Sequence, residues 1–126
     1  MNSNESKATL VIGASENPNR YSNMAIKLLK AKGFLVEALG KRTGEVSGIP
    51  IQTESKCENF SQIDTITLYI NPKIQLKYYE FIMELKPKRV IFNPGTENAD
   101  LQEHLSERGI DWEEACTLVL LHSKQY

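Results

Sequence analysis

Short apolar runs alternate with amphipathic stretches along most of the chain. A continuous apolar run that ends in glycine, asparagine or proline is typical of a parallel strand covered on both faces. This pattern predicts five strands, over residues 9–12, 34–39, 65–70, 89–92 and 110–113. Helical spacing of apolar residues predicts helices over residues 23–32, 72–86 and 115–122, and a further helix that Asn98 caps and Gly109 ends. Ser22 is expected to cap the first helix and Asn71 the second.

Strands that alternate with helices predict an α/β fold with a parallel sheet. We expect a Rossmann-like three-layer sandwich, with a five-stranded sheet in the order 3-2-1-4-5 and helices on both faces. Residues 45–60 fit this pattern least, with a turn and a short extended piece at 48–51 and one helical turn at 54–58. The chain is expected to be one domain over residues 1–126, flexible at 1–7 and 123–126.

The expected fold also predicts where a ligand binds. In such a sheet, ligands bind at the carboxyl ends of the strands, at the point where the chain switches from one side of the first strand to the other. The predicted order places this switch point between the first and fourth strands. The loops there would be residues 13–20, 40–44, 71–72 and 93–96.

Composition narrows the choice of partner. The 126 residues carry a formal net charge of -1, which gives no electrostatic reason to expect nucleic acid or a membrane surface as a partner. Cys57 and Cys116 are too far apart for a CxxC motif, and residues 1–7 lack the apolar core of a signal peptide. We therefore expect two free thiols and a cytoplasmic location.

The first strand runs into Gly13-Ala14-Ser15, a turn suited to phosphate. Free backbone N–H groups and the positive end of a helix dipole favour an anion at such a strand-to-helix turn. The dinucleotide fingerprint GxGxxG is absent, because Ser15 and Pro18 stand at the later glycine positions. This argues against a standard NAD site but leaves a diphosphate site open.

Four stretches in this order and spacing resemble a known family, the small stand-alone CoA-binding proteins with a Rossmann-type fold. They are VIGASENPNRYS at 11–22, DTITLYINP at 64–72, RVIFNPGTEN at 89–98 and EACTLVLL at 114–121. The family is similar to the CoA-binding domain of the succinyl-CoA ligase alpha subunit. The resemblance covers the chain from about Thr9 to Leu121. It implies binding of coenzyme A, with the diphosphate on the first glycine turn and the adenosine near the end of the second strand.

The resemblance also implies which residues bind the cofactor. The phosphate turn and its flank are Gly13, Ala14, Ser15, Arg20 and Tyr21, the basic loop supplies Lys41 and Arg42, and the cleft is lined by Asn71, Pro72, Asn93, Pro94 and Gly95. The chain departs from the family at one point, because Gly40-Lys41-Arg42 stands where relatives commonly have Asn-Pro-Lys. Arg42 would then take the role of a lysine at the 3′-phosphate, since a guanidinium binds phosphate well.

These features favour a non-catalytic module that binds coenzyme A or an acyl-CoA. The sequence contains no legible Ser–His–Asp or Cys–His arrangement, no metal-ligand spacing and no paired-carboxylate motif, so neither catalytic nor metal-binding residues are assigned. Two alternatives stay open. The chain could be an NAD(P)-binding enzyme or redox sensor that uses Lys41 and Arg42 on a 2′-phosphate, or a regulatory subunit with a vestigial nucleotide site. A homodimer or a partner subunit is compatible with each.

Overall fold

The computed structural model describes residues 8–126, which form a single sheet covered by helices. In chain order its seven strands are β1 (Ala8–Ala14), β2 (Leu35–Gly40), β3 (Gly44–Val46), β4 (Ile49–Gln52), β5 (Ile63–Leu68), β6 (Arg89–Phe92) and β7 (Asp111–Glu114). Across the sheet the order is β3-β4-β2-β1-β5-β6-β7. Neighbouring strands are parallel except β3 and β4, which form an antiparallel hairpin.

The helices are short, and each except α3 is preceded in the chain by the carboxyl end of a strand. They are α1 (Tyr21–Ala31), α2 (Pro72–Gln75), α3 (Tyr79–Leu85), α4 (Ala99–Glu107) and α5 (Thr117–His122). The helix predicted over residues 72–86 is interrupted, because a 3₁₀ turn at Leu76–Tyr78 separates α2 from α3. The helical turn expected at 54–58 is a 3₁₀ turn at Cys57–Asn59. Over residues 8–126, every helix is too short or too polar to cross a membrane.

The α/β, Rossmann-like fold is confirmed, but the five-stranded sheet is wrong in strand number and in the place of one strand. The irregular stretch after β2 forms the hairpin β3–β4, and β4 pairs with β2 through Ala38 and Leu39. The side of β2 that faces away from β1 is therefore occupied. The strand predicted third, β5, pairs with β1 instead. The switch point consequently lies between β1 and β5, and not between β1 and the strand predicted fourth, β6.

The start of α1 also differs from the prediction. The helix begins at Tyr21 with Arg20 as its N-cap, so Ser22 lies buried in the first turn instead of capping it. The chain already turns at residues 17–20, where the Arg20 N–H donates to the Asn17 carbonyl at 3.0 Å. Arg20 and Tyr21 are thereby placed at the opening of the helix, next to the loop that follows β1.

Two apolar clusters lie on opposite faces of the sheet. Val11 and Ala38 pack with Ile26 and Leu29 of α1 and Leu121 of α5 on one face. The other face carries the larger cluster, in which strand residues pack against α3 and α4; its members include Leu10, Ile12, Ile66, Leu68, Phe81, Ile82, Val90, Phe92, Leu101 and Leu105. A sheet that is buried on both faces leaves its carboxyl edge as the place for exposed polar loops.

Tyr126 belongs to the described part of the chain and packs against the sheet. Its ring makes an edge contact with Phe34 at a centroid distance of 5.1 Å, and the Arg89 guanidinium lies 4.6 Å from its centroid. Its hydroxyl lies 2.5 Å from Thr9 Oγ1 at the start of β1. The C-terminal tyrosine thus covers the amino-terminal edge of the sheet, opposite the loops discussed below. Residues 1–7, for which flexibility was also expected, lie outside the described residues.

Candidate functional site

Four loops meet at the carboxyl edge of the sheet, after β2, β1, β5 and β6. Because these strands are parallel and adjacent, their following loops, residues 41–43, 15–20, 69–71 and 93–98, lie side by side. The loop after β5 is next to the loop after β1, and the loop after β6 is one strand further away. The four loops predicted from the sequence therefore all lie at one edge. The region between them at the β1–β5 switch point, where sheets of this kind bind ligands, is called the crevice below.

Gly13 shapes the turn after β1 for reasons of packing within the chain. Its φ is +98°, and the β1–β2 pairing is irregular between Ile12 and Ala14. A Cβ atom here would lie 2.8 Å from the Tyr69 carbonyl oxygen and 3.1 Å from Ile70 Cγ2. Glycine thus lets the end of β1 approach the end of β5, which is what brings the two loops of the crevice together.

The loop at residues 15–20 is held by its own polar side chains. Ser15 Oγ accepts a hydrogen bond from the Asn17 N–H at 3.1 Å, and Asn17 Oδ1 accepts from the Asn19 N–H at 3.0 Å. Asn23, which is 2% exposed, donates from Nδ2 to the Ser15 carbonyl at 2.8 Å. These contacts fix the loop over the first turn of α1.

The N-terminus of α1 has the features of an anion site. No side chain of residues 8–126 caps it by a hydrogen bond, and its first turn holds no acidic residue. Unpaired N–H groups and the helix dipole favour a negative charge at this position. Arg20, Lys41 and Arg42 are all exposed on the two loops that flank this end of the helix. These three cations outnumber the two exposed carboxylates at this edge, Glu16 and Glu45, although the chain as a whole carries a net charge of -1.

Glu16 joins the loop after β1 to the loop after β2, a contact that the sequence analysis missed. Its Oε2 accepts a hydrogen bond from the Glu45 N–H at 3.0 Å. A Cβ atom on Gly44 would lie 2.4 Å from Glu16 Cδ, so the carboxyl group packs directly on that glycine. Nothing in the local pattern of either segment signals a contact between residues that are 29 positions apart.

The loops after β5 and β6 differ in what they present to the crevice. Asn71 caps α2 by accepting from the Ile74 N–H at 2.9 Å, and both Asn71 and Pro72 are exposed. Pro94 and Gly95 are exposed as well, and Gly95 has a φ of +92° with open space where a Cβ atom would stand. These four residues form the far wall of the crevice.

Asn93 lies behind this wall, buried and fully engaged. Its Nδ2 donates to Thr67 Oγ1 at 2.6 Å and to the Leu68 carbonyl at 2.8 Å. Its Oδ1 accepts from the Thr117 N–H at 2.9 Å. The amide therefore ties β6 to β5 and to the first residue of α5, and it has a structural role beneath the exposed loop.

A second buried amide, Gln75, connects the two loops of the far wall. Its Nε2 donates to the carbonyl oxygens of Ile70 and Thr96, both at 2.8 Å, and its Oε1 accepts from Asn98 Nδ2 at 2.8 Å. Gln75 is fully buried. The sequence analysis missed this residue, although one signal was present, since Gln75 shares a helical face with Tyr78 and Ile82 and is the polar member of an apolar stripe.

Tyr69 places a buried hydroxyl beneath the crevice. This hydroxyl lies near Thr67 and Thr117 but forms no well-aligned hydrogen bond with any group in residues 8–126. Burial raises the pKa of Tyr69 to about 12, and the two threonine hydroxyls offset that shift only in part. The phenol is therefore neutral across the physiological pH range and acts as a packing group.

The predicted site residues thus separate into four groups. Ser15, Arg20, Tyr21, Lys41 and Arg42 lie on the helix α1 side of the crevice, and Asn71, Pro72, Pro94 and Gly95 lie on the opposite side. Gly13 forms the turn between them. Ala14 and Asn93 are buried, so they shape the crevice from beneath.

Within residues 8–126, no three His, Cys, Asp or Glu side chains lie close enough together to hold a metal ion. Both cysteines are free and half-buried.

Comparison with known proteins shows which family the chain matches and which solved structures it is similar to. The model of a family described as "CoA binding domain" matches residues 7–122. No curated protein matches the chain. A crystal structure described as that of an uncharacterized protein is 48% identical over 95% of this chain and 98% of its own, with a TM-score of 0.91. A conserved hypothetical protein from Pyrococcus furiosus is 28% identical over 90% of this chain and 97% of its own, with a TM-score of 0.77.

A larger protein contains the same fold as one of its parts. The dinucleotide-forming acetyl-coenzyme A synthetase 1 of Ca. Korarchaeum cryptofilum, in complex with phosphate and ADP, is similar over 86% of this chain and 25% of its own, with a TM-score of 0.70. At 16% identity this likeness shows the fold alone.

Proposed function

The chain belongs to the CoA-binding domain family, and from this membership we propose that it binds coenzyme A or an acyl-CoA without itself catalysing a reaction. The observation that carries the proposal is the combination of an uncapped α1 N-terminus with three exposed cations on the loops after β1 and β2. Coenzyme A is a matching ligand, since it presents a diphosphate and a separate 3′-phosphate at opposite sides of one ribose. A basic edge with two distinct cationic loops fits such a spread of charge.

The diphosphate is proposed to lie on the Gly13-Ala14-Ser15 turn. Gly13 sets the path of the backbone in this turn, and the uncapped N-terminus of α1 that follows it favours an anion. Arg20, the N-cap residue, is exposed and adds a positive charge at the mouth of the turn. Tyr21 is 68% exposed and offers an aromatic surface beside it. The role of Ala14 is to position this turn, since its side chain is buried.

The 3′-phosphate is proposed to lie on the loop after β2. Lys41 and Arg42 are both exposed there, one strand away from the phosphate turn. Arg42 can form two parallel hydrogen bonds to a phosphate, whereas Lys41 acts as a point charge. The adenosine would then cross the end of β2, beside the turn after β1.

The pantetheine arm is proposed to run across the crevice between β1 and β5. The loop after β1, with Ser15 and Arg20, lines it on one side, and Asn71 and Pro72 line it on the other, with Pro94 and Gly95 one strand further away. Gly95 has open space where a side chain would stand, so a ligand can approach the backbone closely. Asn93 holds this wall in place from beneath. When bound, coenzyme A would supply a thiol for carrying an acyl group.

Titration calorimetry tests the proposal. Wild-type protein and Arg42→Ala are titrated with coenzyme A, dephospho-CoA and NADP, and Arg108→Ala serves as the matched control. Arg108 is also exposed but follows α4, at the opposite edge of the sheet. We expect wild-type protein to prefer coenzyme A over dephospho-CoA, and Arg42→Ala to lose that preference while Arg108→Ala keeps it.

The other outcomes contradict the proposal in distinct ways. Binding of NADP in preference to coenzyme A would show that the chain recognises a 2′-phosphate, and it would support an NADP-linked enzyme or sensor. Absence of binding for all three ligands would instead support a regulatory subunit with a vestigial site. Equal affinity of wild type and Arg42→Ala for coenzyme A would remove Arg42 from the site.

A further inference from the structure

Glu16 connects the two loops that the proposed function assigns to the two ends of the nucleotide. It follows directly after the phosphate turn, and its Oε2 accepts from the backbone N–H of Glu45, the second residue of β3. The basic loop at residues 41–43 lies between β2 and this anchored point. Both ends of the loop are thus fixed, by β2 on one side and by the Glu16 contact on the other.

Two glycines at the ends of the loop after β2 lie in close contact with the turn after β1, Gly40 against its backbone and Gly44 against the Glu16 side chain. A Cβ atom on Gly44 would lie 2.4 Å from Glu16 Cδ and 2.7 Å from its Cγ. A Cβ atom on Gly40, at the other end of the loop, would lie 2.4 Å from the Ala14 carbonyl oxygen. The two glycines allow the loop after β2 to lie directly against the turn after β1, with Glu16 in between.

Glu16 is an acidic residue next to a proposed phosphate site, where a negative charge is unexpected. A carboxylate next to a phosphate-binding turn weakens phosphate binding through like-charge repulsion unless its charge is used elsewhere. The negative charge of Glu16 strengthens its hydrogen bond to the Glu45 N–H, because a charge-assisted hydrogen bond to a backbone amide is stronger than a neutral one. Glu16 is exposed to solvent, so the contact is not required for burying a polar group in the core.

We infer that Glu16 is a positioning residue, which acts through the backbone of residues 41–45 to hold Lys41 and Arg42 where they select for a 3′-phosphate. This inference rests on the proposed binding of coenzyme A. Glu16 itself does not contact the ligand in this proposal. Its loss would let the basic loop move, and the selectivity for the 3′-phosphate would fall more than the affinity for the rest of the molecule.

Three variants separate positioning from charge. Glu16→Ala removes both the hydrogen bond and the charge, whereas Glu16→Gln removes the charge but keeps an oxygen that accepts from the Glu45 N–H. Glu45→Gln is the matched control, since it removes a neighbouring exposed carboxylate and leaves the backbone donor intact. The readout is the ratio of the dissociation constants for dephospho-CoA and coenzyme A. We expect this ratio to fall about fivefold in Glu16→Ala, as for loss of one hydrogen bond, and to be kept in Glu16→Gln and Glu45→Gln.

Gly44→Ala provides an independent test of the same contact. The new methyl group would displace the Glu16 side chain, so this variant should lose selectivity to the same extent as Glu16→Ala. In the double variant the two effects should not add, because both break one contact. Additive effects would overturn the inference, as would an unchanged ratio in Glu16→Ala. Equal tightening of coenzyme A binding in Glu16→Ala and Glu16→Gln would assign Glu16 a repulsive role instead.

A readout without ligand separates this inference from the proposed function. Trypsin cleaves after Lys41 and Arg42, and the cleavage rate reports how firmly the loop is held. We expect Glu16→Ala and Gly44→Ala to be cleaved there about fivefold faster than wild type, with cleavage after Lys32 unchanged as the internal reference. Faster cleavage together with no coenzyme A binding by wild type would refute the proposed function but keep the loop contact. Unchanged cleavage would refute the contact itself.

Discussion

Replacing Asn93 with alanine tests whether a buried amide holds the far wall of the crevice. Asn93 is 2% exposed, and its side chain forms three hydrogen bonds to β5 and α5. The alanine variant leaves the Leu68 carbonyl and the Thr117 N–H without these partners in a buried region. We therefore expect a large loss of stability although the substitution removes no apolar contact of the core.

The magnitude follows from the number of bonds. A buried hydrogen bond contributes about 1 kcal/mol net, and a group left unpaired costs about 1–3 kcal/mol. Loss of the three bonds of Asn93 should then lower the free energy of unfolding by about 3 kcal/mol, a sizeable part of the roughly 5–15 kcal/mol typical of a domain. The melting temperature of a chain of this size should fall by about 10 °C.

Urea unfolding followed by tryptophan fluorescence measures this loss. Trp112 is the single tryptophan of the chain and lies on β7, with its ring 6.2 Å from that of Phe92, the residue before Asn93. Asn71→Ala is the control, because Asn71 is exposed and its side chain accepts one hydrogen bond, at 2.9 Å from the Ile74 N–H; it should cost about 1 kcal/mol. A loss below about 1 kcal/mol for Asn93→Ala, or one equal to that of Asn71→Ala, would refute the assignment of Asn93 as a structural clamp.

Three further substitutions test other parts of the crevice. Gly13→Ala should lower the free energy of unfolding by about 3 kcal/mol in urea, and Gly33→Ala by only about 1 kcal/mol, since both have positive φ but only at Gly13 would the Cβ atom meet a carbonyl oxygen, at 2.8 Å. Equal losses would show that the Tyr69 carbonyl does not restrict this position. Tyr69, with a pKa of about 12 when folded and about 10 when unfolded, should stabilise the fold fully below pH 10 and lose that contribution as the pH rises toward 12. Unfolding free energies measured from pH 9 to 12 should therefore fall more steeply for wild type than for Tyr69→Phe, and parallel curves would contradict the burial of the phenol. Gln75→Leu should cost about 2 kcal/mol, because a buried and a half-buried carbonyl oxygen lose their donor, and an unchanged urea midpoint would argue against this role.

Local sequence patterns were sufficient for most strands and helices but not for their arrangement. The runs at 9–12 and 89–92 lie within β1 and β6 because buried parallel strands are continuously apolar. The hairpin β3–β4 was missed because its strands have only three and four residues, and Pro50 stands inside the second of them. Pairing order is a property of the whole chain, so missing this hairpin also misplaced β5. Local periodicity alone gives no information on which side of β1 a later strand will pair.

The same limit applies to the candidate site. Residues next to a strand end, such as Gly13, Arg42 and Asn71, could be placed at this edge from the sequence because turn chemistry is local. Gln75 and Glu16 were not, since their partners are 21 and 29 positions away along the chain. Asn93 was identified as a residue of the site, but its burial shows why position in a motif does not give the role of a side chain. Its amide serves the strands beneath the loop, and the loop residues after it face the crevice.

Buried amides hold together the two loops that form the far wall. Loops that bind a ligand are usually among the less stable parts of a domain, because few apolar contacts hold them. Here Gln75 ties the loop after β5 to the loop after β6, and Asn93 ties β6 to β5 and α5. A wall that is held in advance lowers the conformational entropy that the protein itself loses when a ligand binds. The basic loop on the other side has no buried amide beneath it in the described part of the chain and depends on Glu16, an exposed residue. If this difference is correct, substitutions at Gln75 and Asn93 should weaken the folded domain, whereas substitutions at Glu16 should leave its stability nearly unchanged and alter its selectivity.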